Sequence, residues 1–157
     1  MSKNLKFESL ISELNIVPLI SMIYRTEQKY LDHKLKDLDI GSGQINCLMK
    51  IYEYDIDVHE DNLCQNDLCE ILKISKGTVA SSLRKLEDNG YVIREPIPNN
   101  MRKYKLSLTK KGFELVPKII EIDKMWENDM DCKFINEELK GNLRKILLRS
   151  LELTESL

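Results

Sequence analysis

The sequence predicts a mainly α-helical fold that carries one small β-hairpin. Three observations support this fold class. Apolar residues recur at helical spacing over most of the chain, the spacing changes to strict alternation between residues 91 and 108, and positive charge is concentrated in residues 73–111. A chain of 157 residues is expected to form one domain with a sizeable core.

The N-terminal part of the chain is predicted to be helical. Apolar residues at helical spacing predict a long amphipathic helix over residues 16–38, which the two glycines of "DIGSGQ" end. Ser42 is expected to cap a second helix, which carries Ile45 and Leu48 on its inner side. The acidic, aperiodic stretch 53–62 is expected to be a loop.

A helix-turn-helix pair is predicted next. Its first helix is short and is expected to turn Leu68, Ile71 and Leu72 inward. Ser75 then supplies a hydroxyl that can cap a helix over residues 76–89. Gly90 follows at the position where a left-handed residue ends a helix.

The hairpin and the C-terminal helices complete the predicted order. "YVIREPI" and "RKYKLSL" are strand-like, "PNN" supplies a turn between them, and one face of the hairpin is basic. Thr109 is expected to cap a helix in which Pro117 causes a bend or a restart. An amphipathic helix is predicted over residues 134–157. This order describes a winged helix-turn-helix flanked by helices at both ends.

Net charge is a poor guide to the partners of this chain. The total is −2, but residues 73–111 contain ten basic and three acidic residues and carry +7, whereas residues 1–72 carry −6 and residues 112–157 carry −3. Local potential rather than total charge attracts a polyanion. The helix over 76–89 lies in this basic segment and is expected to turn Gly77, Ala80, Ser81 and Ser82 outward, where small side chains allow close approach to base edges in a major groove. Val79, Leu83 and Leu86 would hold its other side to the core.

The segment "LCEILKISKGTVASSLRKLEDNGYVIREPIPNNMRKYKLSLTKKG" resembles the MarR family of transcriptional regulators. The resemblance covers the helix-turn-helix, the "LEDNGYVIR" exit, the wing arginine and the "LSLTKKG" close, and the helix order extends it over nearly the whole chain. It implies a homodimer that binds a palindromic DNA site, with dimerisation helices in residues 1–40 and 112–157 and the DNA-binding domain in residues 41–111. It also implies a small-molecule effector in the cleft between these parts.

One departure from the family pattern lies in the wing. The family usually carries an Asp two residues before the wing arginine, whereas this chain has Asn100 before Met101 and Arg102. The Asp–Arg pair that orients the wing is therefore absent.

Double-stranded DNA is the expected partner, and lysine, arginine and small polar residues are its expected contacts. Arg84 is expected to contact bases, because it shares one helical stripe with Lys76, Gly77, Ala80 and Ser81. Ser75 and Thr78 are expected to combine capping with phosphate contact. The full set of expected contacts is Ser75, Lys76, Gly77, Thr78, Ala80, Ser81, Arg84, Lys85, Arg94, Arg102 and Lys103. An ordinary solvated helix face is the alternative for such residues, and the wing and the local charge favour DNA.

Other functions have less support in the sequence. No nucleophile–base motif, phosphate-binding glycine loop or metal signature is present, so neither an enzyme nor a cofactor is expected. His59 in an acidic stretch is a weak metal candidate, and the four cysteines are expected to be reduced rather than redox sensors. No apolar run of membrane-spanning length appears, so a cytoplasmic location is expected. The leading prediction is a DNA-binding repressor, and the alternative is a winged-helix module that binds proteins of the transcription machinery.

Overall fold

The fold is mainly helical with one two-stranded antiparallel hairpin, which confirms the predicted class. The computed structural model describes residues 8, 10–57, 62–98, 100–130 and 133–155, without the side chains of residues 101 and 102. The helices are α1 (Ile16–Leu35), α2 (Ser42–Ile56), α3 (Gln65–Leu72), α4 (Lys76–Asp88), α5 (Lys110–Asp129) and α6 (Glu137–Glu155). The strands are β1 (Val92–Ile97) and β2 (Asn100–Leu108), and a 3₁₀ turn at Lys36–Leu38 follows α1.

The chain forms two compact units, Met1–Ile122 and Asp123–Leu157, and the division falls within α5. The core of the first unit joins both helices of the helix-turn-helix to α2 and to the start of α5. Its fully buried side chains include Leu48 of α2, Leu68 of α3, Leu83 of α4 and Ile119 of α5. Burial of each such side chain contributes roughly 1.5–3 kcal/mol, so this apolar cluster fixes how the helix-turn-helix is held.

The first helix ends earlier than the sequence predicts. The helix expected over 16–38 stops at Leu35, and the 3₁₀ turn leads to Asp39 in the left-handed region at φ 50°. An aspartate tolerates this conformation better than most residues because its short polar side chain can hydrogen-bond locally. The left-handed residue after the helix is therefore Asp39, and neither glycine of "DIGSGQ" has a positive φ.

The sequence predicted Ser42 as the cap of α2, and this prediction is wrong. The capping residue is Gly41, whose backbone N–H donates to Gln44 Oε1 at 2.9 Å. The N–H of Ser42 donates instead to Asp32 Oδ1 of α1 at 2.7 Å. A carboxylate from another helix therefore satisfies one of the free amides in the first turn of α2, at the residue that was expected to supply the cap.

Three further predictions about element boundaries and faces are corrected. Helix α2 continues to Ile56, four residues into the predicted loop 53–62, and the N–H of Asp57 still donates to Glu53 O at 3.0 Å. Ile71 is 39% exposed, because Leu68 and Leu72, one turn apart, occupy the side of α3 that faces the core. Helix α5 continues through Pro117, so the expected restart is wrong, while the expected bend stays a prediction. The flanking Leu115, Val116 and Ile119 are buried and hold this segment in the core.

Candidate nucleic-acid interface

Helix α4 begins at the cap that the sequence predicts. Ser75 Oγ accepts the N–H of Thr78 at 3.2 Å and lies 2.8 Å from Thr78 Oγ1. The first turn therefore has one orphan amide satisfied by a side chain, while both hydroxyls remain at the exposed surface. Exposed hydroxyls and amides at a helix start can contact a phosphate.

The two sides of α4 separate as expected, with one exception. Val79, Leu83 and Leu86 are buried, and Lys76, Gly77, Ser81 and Arg84 are exposed, whereas Ala80 is half-buried. Ser82, which was expected to point outward, is only 3% exposed. Its hydroxyl donates to Gly43 O at 2.8 Å, so this polar side chain joins α4 to the start of α2.

The exposed cations of α4 are not engaged within the described part of the chain. The side chains of Lys76, Arg84 and Lys85 are exposed and form no hydrogen bond or ion pair with another described residue. An anionic partner can therefore bind these side chains without breaking an ion pair inside the protein.

The C-terminal end of α4 is fixed to the segment that follows α1. Gly90 adopts φ 71°, as its position predicts. Asn89 Nδ2 donates to Asp39 O at 2.5 Å, and the Tyr91 hydroxyl donates to Leu38 O at 2.8 Å. These two bonds set the position of α4, the predicted recognition helix of the helix-turn-helix, relative to residues 38–39.

The hairpin has an irregular tip. Pro96 pairs with Tyr104 and the next residue of β1, Ile97, pairs with Asn100, so β2 contains three extra residues at this point. The extra residues are 101–103, which include the wing arginine. The side chain of Arg102 lies outside the described part of the structure, so its expected DNA contact stays a prediction. Such bulges change the direction of nearby side chains.

The base of the hairpin is attached to the segment before α3 and to α2. The N–H of Leu106 donates to Leu63 O at 2.9 Å, and the N–H of Leu108 donates to Asp55 Oδ2 at 2.6 Å. Lys103 is exposed and lines a cavity of about 550 Å³ between α3 and β2, together with Cys64, Asp67 and Glu70. The lysine thus faces an acidic helix start as well as solvent.

Arg94 occupies a different environment from the other expected contacts. Its Nε is buried and lies 2.8 Å from Glu87 Oε1 at the end of α4, a distance typical of an ion pair, although the N–H direction does not make a hydrogen bond. Its Nη1 donates to Gln65 Oε1 at the start of α3 at 3.3 Å. Neither Glu87 nor Gln65 is among the residues that the sequence predicts for the site. A signal for Glu87 was present in the sequence, because Glu87 and Arg94 carry opposite charges and lie seven residues apart on either side of Gly90.

Cysteine and metal chemistry find little support among the described residues. Burial raises the pKa of the Cys47 thiol to about 11, so the reactive thiolate is scarce at neutral pH. Across the described ranges, no group of three or more His, Cys, Asp or Glu side chains is arranged to hold a metal ion. His59 and Cys132 lie outside those ranges.

No helix in the described part of the chain is both long and apolar enough to cross a membrane.

A capped, small-sided helix with free cations beside a two-stranded wing defines a winged-helix DNA-binding protein. A sequence model described as the MarR family matches residues 41–104. An uncharacterized HTH-type transcriptional regulator of Bacillus subtilis (strain 168), YybA, is 32% identical over 103 residues, which are 66% of this chain and 65% of that protein. The aligned part is therefore slightly under two thirds of that relative's length.

Solved structures extend the similarity over about nine tenths of the chain. The crystal structure of a MarR transcriptional regulator from Methanosarcina mazei Go1 has 34% sequence identity and a TM-score of 0.77, covering 88% of this chain and 97% of that one. A complex of S. aureus MepR with DNA has 26% identity and a TM-score of 0.74, covering 89% and 98%. The chain belongs to the MarR family. It is a DNA-binding transcriptional regulator, and members of this family are regulators rather than enzymes.

Proposed function

We propose that this regulator is a sequence-specific repressor in the cytoplasm that binds a palindromic operator as a homodimer and is released by a small-molecule effector. The observation that carries the proposal is the outer face of α4. Lys76, Gly77, Ser81 and Arg84 are exposed along one side, while Val79 and Leu83 hold the other side in the core. Small residues and unpaired cations on one stripe suit the edges of bases in a major groove.

The roles of the proposed contacts differ by position. Arg84 presents a guanidinium two turns into α4 and suits guanine, for which a bidentate pair gives about 1–3 kcal/mol of discrimination. Ser75, Thr78 and Lys85 suit phosphates at the edge of the groove. Lys103 and Arg102 in the wing would contact the neighbouring backbone or minor groove.

Homodimerisation is supported by apolar side chains that the chain leaves exposed near both ends. In α1 they include Ile16, Val17 and Tyr24, and in α6 they include Leu143 and Leu147, each at least 46% exposed. A two-fold dimer would bury this surface and would place two winged domains on one operator. Residues 1–40 and 112–157 are therefore proposed as the dimerisation helices that flank the 41–111 DNA-binding domain.

Repression and release follow from the same surfaces. Occupancy of an operator within a promoter excludes polymerase and requires only DNA binding and dimerisation. An effector that prefers the DNA-free conformation would shift the population toward it. The cavity of about 550 Å³ between α3 and β2 lies within the DNA-binding domain rather than in the cleft that the family resemblance implies. Its volume supports the proposed effector, since ligand sites are typically about 300–1,000 Å³.

Selection of genomic fragments with the purified protein tests the class and the operator together. We expect the retained fragments to share a palindrome whose half-sites are about one helical turn apart. Affinity should fall steeply as salt increases, because lysine and arginine contacts displace counterions from phosphates. Retention of unrelated fragments, or of none, would contradict sequence-specific binding. Capture of transcription proteins without DNA would instead support the alternative of a protein-interaction module.

Arg84→Ala tests base recognition by α4. We expect the variant to lose about tenfold in affinity for the operator while its affinity for scrambled DNA changes little, as about 1–3 kcal/mol per bidentate contact implies. Lys118→Ala, an exposed lysine of α5, is the control for loss of one positive charge. Equal losses on both DNAs would assign Arg84 to a phosphate.

A further inference from the structure

We infer that Arg94 is a positioning residue that fixes the wing against the recognition helix, rather than a DNA contact. The inference rests on the proposed DNA-binding function. Arg94 belongs to β1, Glu87 to the last turn of α4 and Gln65 to the first turn of α3. One guanidinium on the wing strand β1 thus contacts both helices of the helix-turn-helix, at 2.8 Å from Glu87 and 3.3 Å from Gln65.

The position of Arg94 in the sheet makes this contact effective. Arg94 pairs with Leu106, whose N–H is the donor to Leu63 O just before α3. The backbone at this level therefore already joins β1, β2 and the segment before α3. The side chain of Arg94 adds the recognition helix to that group, so the angle between wing and helix is set at this point. A planar guanidinium can serve two partners at once, which a lysine ammonium on a flexible stem does less well.

Charge and burial argue against a direct DNA contact. The side chains of Arg94 and Glu87 are only 28% and 31% exposed. If Arg94 turned toward a phosphate, Glu87 would remain as a partly buried carboxylate without its cation, next to a polyanion. Breaking one side of an ion pair is unfavourable for this reason, and the cost grows with the burial of the pair. In the paired arrangement Arg94 cancels the charge of Glu87 and leaves the neighbouring cations of α4 to attract DNA.

The inferred role predicts that Glu87→Gln changes DNA affinity in the opposite direction to most losses of a carboxylate. Removing a carboxylate from a DNA-binding surface ordinarily strengthens binding, because a repulsion of phosphate disappears. If Glu87 and Arg94 together position the wing, Glu87→Gln should instead weaken binding to the operator by about tenfold, within the range of coupled neighbours. Asp88→Asn is the matched control: Asp88 is the next residue, is exposed, and should give the ordinary strengthening on all DNA.

The experiment measures affinity for the operator and for scrambled DNA over a range of salt concentrations, below the melting temperature of every variant. We expect Arg94→Gln, Glu87→Gln and the double variant to lose operator affinity to the same extent, since the second change removes a contact already lost. Arg94→Lys should recover little of the loss. The slope of affinity against salt should stay that of the wild type, because no phosphate contact is removed.

The opposite pattern would overturn the inference. It consists of tighter binding by Glu87→Gln, like Asp88→Asn, with Arg94→Gln weakening both DNAs and lowering the salt slope by about one. Arg94 would then be a phosphate contact. Should Arg94→Gln not fold, Glu87→Gln and Arg94→Lys still decide between the two roles. If the wild-type protein binds no DNA, the proposed function itself is wrong. That result is distinct from every outcome for the variants, because it is measured on the unchanged protein.

Discussion

The winged domain and helix α6 bury their apolar residues to very different extents. Within the first unit, Leu48, Ile51 and Leu83 are fully buried. In α6, which is similarly amphipathic, no residue is buried, and Leu147 and Leu148 are 58% and 61% exposed. The same residue type at the same spacing therefore has opposite surroundings in the two regions.

The difference shows which part of the chain is complete by itself. The winged domain buries its core side chains within one chain, so it can hold α4 in a fixed position without a partner. Exposed leucine on one side of a helix is typical of a surface that another chain covers. Folding of the DNA-binding part and assembly of two copies are thus expected to respond to different substitutions.

The largest effect is expected from Leu147→Asp. The proposed dimer would bury this side chain, so a charge there should give a monomer at micromolar concentration while the winged domain stays folded. Loss of the second DNA-binding domain should lower operator affinity on the order of a hundredfold or more. Light scattering and operator titration measure both effects.

Lys145→Asp is the control, because it places the same residue type on the opposite, charged side of α6. It should remain a dimer. If Leu147→Asp also stays dimeric, α6 is not the dimer interface and the comparison of the two regions needs another explanation.

Glycine substitutions test how closely each region is packed. A Cβ at Gly112 would overlap the Tyr91 carbonyl oxygen and lie 3.3 Å from Leu108, so Gly112→Ala should destabilise the winged domain by about 3 kcal/mol. A Cβ at Gly141 in α6 meets nothing within 4 Å. Gly141→Ala should therefore stabilise its helix by about 0.5–1 kcal/mol.

Urea denaturation of the two variants gives both values. A destabilising Gly141→Ala whose effect depends on protein concentration would place a partner chain against that part of α6. A neutral Gly112→Ala would contradict the close approach of α5 to Tyr91.

The pH dependence of stability through Cys47 tests whether water is excluded from the core of the winged domain. Because burial raises its pKa from 9.0 to about 11, the folded state holds the thiol proton more tightly than the unfolded state. Its contribution to stability is full below pH 9 and is lost as pH rises toward about 11. The free energy of unfolding should fall on the order of 2 kcal/mol across this window through Cys47 alone. Cys47→Ala should lack that part of the pH dependence, and equal slopes in both proteins would show that water reaches the thiol.

The smallest effect is expected at the surface cap of α4. Ser75→Ala removes the acceptor of the Thr78 N–H and should cost about 1 kcal/mol in thermal or urea unfolding. Ser75→Gly should cost only a few tenths of a kcal/mol, since glycine is tolerated at this position. A loss of DNA affinity in the alanine variant that exceeds its loss of stability would add a phosphate contact to the capping role.

The sequence predicts local features well and distant contacts poorly. Helical spacing places Val79 and Leu83 in the core, and Gly90 marks the end of α4, because both depend on neighbours along the chain. Ser82 was expected outside because small polar residues surround it, but its hydroxyl bonds to a carbonyl 39 residues away. Arg94 has the charge of a DNA contact, and only the folded structure brings Glu87 and Gln65 to it.

The bonds from Asn89 and Tyr91 to residues 38–39 also order the steps of folding. They join positions 50 and 53 residues apart, whereas the hydrogen bonds within α4 span four residues. Helical turns form within about a microsecond, but closing a long loop costs entropy that only later contacts offset. Helical turns of α4 are therefore expected to form transiently before these bonds fix its position, and the whole helix to become stable once it packs. During synthesis from the N-terminus, the acceptor carbonyls of Leu38 and Asp39 are made before their donors, Tyr91 and Asn89. Partial unfolding should release these two bonds early, so the protein loses the orientation of α4 while most of its helical content remains.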